Sequence, residues 1–131
     1  KSGTRYLSLA ANRACAPVSA STVATVPPAQ PAAGPVLRFH YRLTAAANVT
    51  YSASVGSVYR TYTVNTPANT WVEEKVCLPP DRPGQPLPVR FEARHNQFTG
   101  SGLTCYASFV SSGTYFIDDV TVGTDPSCPA Q

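Results

Sequence analysis

Arg38, His40 and Arg42 alternate along one stretch of this chain, and Arg90, Glu92 and Arg94 alternate along another. In an extended backbone, residues two apart share a face. Each stretch therefore presents two guanidinium groups on one side, and a guanidinium can grip a carboxylate or a sulfate with two parallel hydrogen bonds. If the two stretches lie side by side, they form a basic patch with one acid inside it, suited to an acidic glycan. The competing reading is a solvated ladder of Arg–Glu pairs, each worth little.

Other residues invite similar weighing. Asp118 and Asp119 are adjacent, so in a strand their side chains point to opposite faces; one capping a turn and the other solvated is their plainest role. Tyr59 and Tyr106 fall on the polar side of their alternations, and Phe98 falls in a loop. Each could offer a ring on which a sugar stacks, or simply pack. Trp71 is assigned to the core. Cys15, Cys77, Cys105 and Cys128 form no Cys-x-x-Cys pair, and His40 and His95 are not spaced from them as zinc ligands. Two disulfides or buried thiols remain, and four cysteines allow three pairings. The strand-like setting of Cys77 and Cys105 favours that pair, leaving Cys15 with Cys128. Asn48-Val49-Thr50 is an acceptor triplet for glycosylation, consistent with an extracellular setting.

No constellation for catalysis stands out. A nucleophile elbow and a phosphate-cradling glycine loop are both missing. Glu73 and Glu74 are neighbours whose side chains diverge, a poor acid/base pair for glycoside hydrolysis. The charge of +3 is modest, and exposed aromatics do not interleave with it, which argues against nucleic acid as a partner. No apolar run approaches the roughly 18 residues of a membrane span. No signal peptide heads the chain, which is expected to be a mature or excised part of something larger.

The elements that must position these residues have a period of two, not 3.6. Leu37, Phe39, Tyr41 and Leu43 share one face of a strand and Arg38, His40 and Arg42 the other. Residues 49–55 and 58–64 read as a hairpin turning at Gly56. Residues 5–11, 18–26, 89–94, 103–110 and 115–122 read as further strands. In residues 70–78, Glu74 falls in register with Val72, Val76 and Leu78. A bulge is expected there, so that Trp71 can share the core with Val76 and Leu78. Thirteen prolines argue against long helices. Charged residues make up only 13 %, about half the usual share, so Thr, Ser, Asn and Tyr must cover the surface, as in many extracellular β proteins. One domain over residues 1–131 is expected, all-β, with short strands at the spacing of a sandwich or barrel.

Ser2-Gly3-Thr4-Arg5-Tyr6-Leu7 comes first in a longer pattern. Leu37-x-Phe39-x-Tyr41, Thr70-Trp71, Val76-x-Leu78 and Val89-x-Phe91-x-Ala93 follow, and Tyr115-Phe116-Ile117-Asp118-Asp119-Val120-Thr121-Val122 closes it. In that order, over roughly residues 2 to 122, the chain resembles galactose-binding-like jelly-roll modules. These are the carbohydrate-binding modules of secreted glycan-active proteins and the related MAM-like adhesion domains. The resemblance implies an antiparallel jelly-roll β-sandwich of about eight or nine strands. It implies an extracellular, non-catalytic function, with a glycan or neighbouring protein subunits of a fibre or matrix as partner. It also implies a structural Ca²⁺ at Asp118 and Asp119, held with oxygens from a first strand. Family members carry that strand upstream of the Ser-Gly-Thr element, where this chain begins. The strand is expected to be cut off or donated by another chain, leaving a sheet edge open.

Overall fold

The computed structural model describes residues 7–11, 18–28, 30–44, 49–62, 70–95 and 113–130. Where apolar and polar side chains alternate in these segments, a strand forms. In chain order these are β1 (Leu7–Ala11), β2 (Val18–Thr25), β3 (Gly34–Leu43), β4 (Val49–Val55), β5 (Val58–Tyr62), β6 (Val72–Cys77), β7 (Pro86–His95) and β8 (Gly113–Asp125). The first sheet has the spatial order β1-β8-β3-β6 and the second β2-β7-β4-β5. All pairings are antiparallel. A chain that passes between two four-stranded sheets in this order is a jelly roll, as the alternating pattern and the resemblance led one to expect. The strand expected over residues 103–110 lies outside the described residues.

The inward faces meet in one core. Leu37, Phe39, Val76, Tyr115 and Ile117 from the first sheet pack against Tyr51, Ala53, Val89, Phe91 and Ala93 from the second. Phe39 and Phe91 meet edge to face across the sandwich, with ring centroids 5.1 Å apart. Burying each such ring removes about 2–3 kcal/mol of unfavourable hydration. Tyr115 packs among Tyr41, Tyr51, Tyr62 and Phe91. Burial, then the neighbouring Tyr41 and Glu74, drives its hydroxyl pKa well above the usual tyrosine range. Gly56 and Gly34 are each needed by geometry. Gly56 takes φ 59° in the two-residue turn between the paired Val55 and Val58. Gly34 lies so close to the chain's final turn that a Cβ would stand 1.9 Å from the Pro129 carbonyl oxygen.

Three local expectations are overturned. The β3–β6 register runs without a break from Val36↔Cys77 to Tyr41↔Val72, so there is no bulge at Glu74. Glu74 does face inward, but at the open side of the sandwich, where the second sheet supplies partners. The Tyr62 hydroxyl donates to Glu74 Oε2 at 2.7 Å, and Arg60 Nη1 lies 3.6 Å from Oε1. Trp71 accordingly keeps the outward register and is half-buried on the first sheet's outer face, not in the core.

The bulge falls in β8 instead. Arg38 pairs with Thr121 but His40 with Asp118, so β8 carries one extra residue. Asp119 takes φ 56° there, the left-handed conformation that Asp tolerates better than most residues. The strict alternation that puts Asp118 and Asp119 on opposite faces is therefore broken, and both carboxylates come to the outer side, around His40.

Cys77, at the end of β6, is joined to Cys128, with Cα atoms 5.4 Å apart. This excludes the expected pairs Cys77–Cys105 and Cys15–Cys128. The reason is the sheet order: β6 lies next to β3, and the turn after β8 folds back over the start of β3. Gly34 N–H donates to the Cys128 carbonyl at 3.1 Å, which brings Cys128 beside the end of β6. Cys15 and Cys105 lie outside the described residues.

Candidate functional site

The outer face of the first sheet is built from three cross-strand rows. In the first, Phe116 pairs with Arg42, and Trp71, which directly precedes β6, flanks Arg42 on the other side. The Arg42 guanidinium carbon lies 4.3 Å from the Phe116 ring centroid and 5.3 Å from that of Trp71. Both distances are within cation–π range. The stack arises because three strands run side by side in register and all three residues fall on the outward parity. Phe116 and Trp71 are each part-buried.

The second row centres on His40. Its Nδ1 lies 3.5 Å from Asp119 Oδ2, and its Nε2 lies 3.9 Å from Glu73 Oε2. Asp118 Oδ1 accepts the Asp119 N–H at 2.8 Å, which holds the bulge in shape. The third row is an ion cluster. Asp125 Oδ2 faces Arg38 Nη2 and Lys75 Nζ, the latter at 3.4 Å. Oδ1 accepts the Ser127 N–H at 2.8 Å and its hydroxyl at 2.5 Å. The Ser127 hydrogen bonds, with help from Arg38 and Lys75, hold the Asp125 carboxyl well below the usual carboxylate range.

The second sheet's outer face is plainer. Arg90, Glu92 and Arg94 project from β7, and the two arginines share one acid: Arg90 Nη2 is 3.0 Å from Glu92 Oε2, and Arg94 Nε is 4.0 Å from Oε1. Tyr59 is 61 % exposed on the edge strand β5, as its alternation predicted. β3 and β7 belong to different sheets, and their outward faces point away from each other. The expected single patch of Arg38, His40, Arg42, Arg90 and Arg94 therefore does not form. Tyr106, Phe98 and Asn48 lie outside the described residues.

Where pKa shifts are resolved they lead away from neutrality: the tyrosine hydroxyls of the core rise with burial, and Asp125 falls. Among the described residues no three His, Cys, Asp or Glu side chains gather as a metal site. Asp118 and Asp119 offer two carboxylates, already engaged with the bulge and His40, against the six to eight oxygens calcium takes. They do not by themselves fit that ion. No helix among the described residues is long and apolar enough to cross a membrane.

No protein-family model matches the chain, and no curated protein matches it in sequence.

Two features of this face escaped sequence reasoning. Phe116 was legible in part, since it alternates with the inward Tyr115 and Ile117. Its stacking on Arg42 depends on a register between β3 and β8 that no local pattern reveals. Asp125 carried a clearer signal, because Asp-Pro-Ser is a favourable side-chain-capped turn.

Proposed function

We propose that this domain is a non-catalytic, extracellular carbohydrate-binding module of a larger secreted or surface protein. The observation that carries the reading is the Phe116–Arg42–Trp71 row. It presents part-open aromatic rings and a held guanidinium together on a broad sheet face. Sugars offer a CH-rich face to rings and hydroxyls to charged donors, and such a row meets both needs. The resemblance to galactose-binding-like jelly rolls points the same way, as does the hydroxyl-rich, charge-poor surface.

The test is a glycan array with the purified domain, followed by calorimetry on any glycan that binds. Trp71→Ala should abolish binding while the domain still melts cooperatively. Binding that survives Trp71→Ala but is lost in Tyr59→Ala would move the site to the second sheet.

A structural or adhesive subunit is the second reading, and one observation favours it. Val23, Val120 and Val122 are 63, 42 and 44 % exposed. They border a groove of about 420 Å³ floored by Leu37 and Val89. Silence across the array, with concentration-dependent association in sedimentation, would replace the first reading by this one.

A further inference from the structure

The strand arginines of this molecule differ in what neutralises them. Arg38 meets Asp125, Arg60 meets Glu74, and Arg90 and Arg94 share Glu92. Arg42 has rings in place of an acid. Among the described residues no carboxylate lies against it, and its Nε is enclosed without a hydrogen-bond acceptor. A guanidinium held over the Phe116 and Trp71 rings keeps the donors of its terminal nitrogens for something else, and the ring contacts limit the rotamer freedom that usually weakens an exposed arginine. The acids of the neighbouring row, Glu73, Asp118 and Asp119, gather at His40. They repel an anion arriving from that side. On the opposite side of Arg42 stand Thr44 and Thr114, where the Thr114 N–H donates to Thr44 Oγ1 at 2.8 Å. Among the described residues, that side offers hydroxyls and no charge.

Resting on the carbohydrate-binding reading, we infer that Arg42 is the selectivity determinant of the face and that its ligand is an acidic sugar. A carboxylate or sulfate seats on the Arg42 terminal nitrogens from the Thr44 and Thr114 side, and the sugar ring lies along Trp71 or Phe116. A charge-assisted, two-point contact at a pre-held guanidinium distinguishes an acidic sugar from its neutral counterpart by roughly ten- to a hundredfold in affinity.

The experiment compares matched probes on the intact domain by calorimetry. An oligogalacturonate is set against the same oligomer with its carboxyls methyl-esterified, which removes the charge and keeps the rings. Chondroitin sulfate is set against unsulfated chondroitin, so that the two pairs tell carboxylate from sulfate. A preference for the acidic member of either pair, weakened by added salt and erased by Arg42→Gln, is the expected result. Equal binding of both members of each pair overturns the inference and leaves the carbohydrate reading standing, as does a preference that Arg42→Gln preserves. The array separates the two cases, because silence there removes the reading itself. Should Arg42→Gln fail to fold, the wild-type comparison of acid with ester still decides.

Discussion

Each sheet carries an outward row that contains one arginine and at least one aromatic ring, and the two rows behave differently. On the first sheet the order is Phe116, Arg42, Trp71, with the arginine between rings. On the second it is Ser21, Arg90, Ser54, Tyr59, with a serine between the arginine and the ring. One position of separation is enough to change the outcome. Arg42 stacks; Arg90 turns along its own strand to Glu92 and leans on Ser19 Oγ at 3.4 Å. The same residue types thus yield a fixed, partly dehydrated guanidinium on one face and a solvated ion pair on the other. Composition does not decide which; the order of residues across strands does.

The largest expected effects test whether this difference stops at the surface. Phe39→Ala and Phe91→Ala empty the same edge-to-face contact from opposite sheets, and each should cost about 3–5 kcal/mol in chemical denaturation. Similar costs would mean that the interior is shared and only the exteriors differ. A much cheaper Phe91→Ala would break the comparison by showing a weaker second sheet throughout. Next in size is the Cys77–Cys128 bond, which ties only first-sheet elements. Replacing both cysteines by Ala should lower stability by about 2–4 kcal/mol through the freed loop, measured under non-reducing conditions.

Acid should also tell the faces apart. The Asp125 carboxyl is held below its usual pKa when folded, so its stabilisation is complete above the ordinary aspartate value and is lost as pH falls through that range and below. Denaturant midpoints should therefore decline from about pH 5 downwards, and Asp125→Asn should flatten that decline. A variant slope as steep as wild type would locate the acid sensitivity elsewhere. The smallest contrast is the most direct one. Arg42→Gln should cost about 1 kcal/mol of stability through its two ring contacts, whereas Arg90→Gln should stay within about 0.5 kcal/mol. Equal values would remove the physical distinction between the rows.

Much of this fold is legible in the chain. Leu37, Phe39 and Leu43 alternate with Arg38, His40 and Arg42, and the structure buries the first set and turns the second outward. The hairpin at Gly56 was equally readable, since the turn chemistry and the flanking β-formers agree. What failed did so for one reason: it depended on which strands become neighbours. Glu74 looks wrong on an apolar face until β5 is seen to bring Tyr62 and Arg60 to it. Cys77 finds Cys128 because the turn after β8 returns to β3. Asp118 and Asp119 share a face because a bulge in β8 interrupts the period on which their separation was argued. Arg38 and Arg90 are on similar strands but on opposite sides of the molecule. Local alternation shows which way a side chain faces, not what it meets there.

The Cys77–Cys128 bond has a mechanical consequence. A pull arriving along the chain beyond Cys128 does not first load β8, because the covalent path runs from Cys128 to Cys77 at the sheet's far edge. β7 and β8 lie inside the closed loop and bear no tension until the bond is reduced. Force is handed to β6 and its ladder with β3, so β8 can keep Phe116 against Arg42 while the sheet edge is strained. Reduction would turn the same pull into a peeling force on β8 that starts at Asp125, and the Phe116–Arg42 pair, near the other end of the strand, would part late.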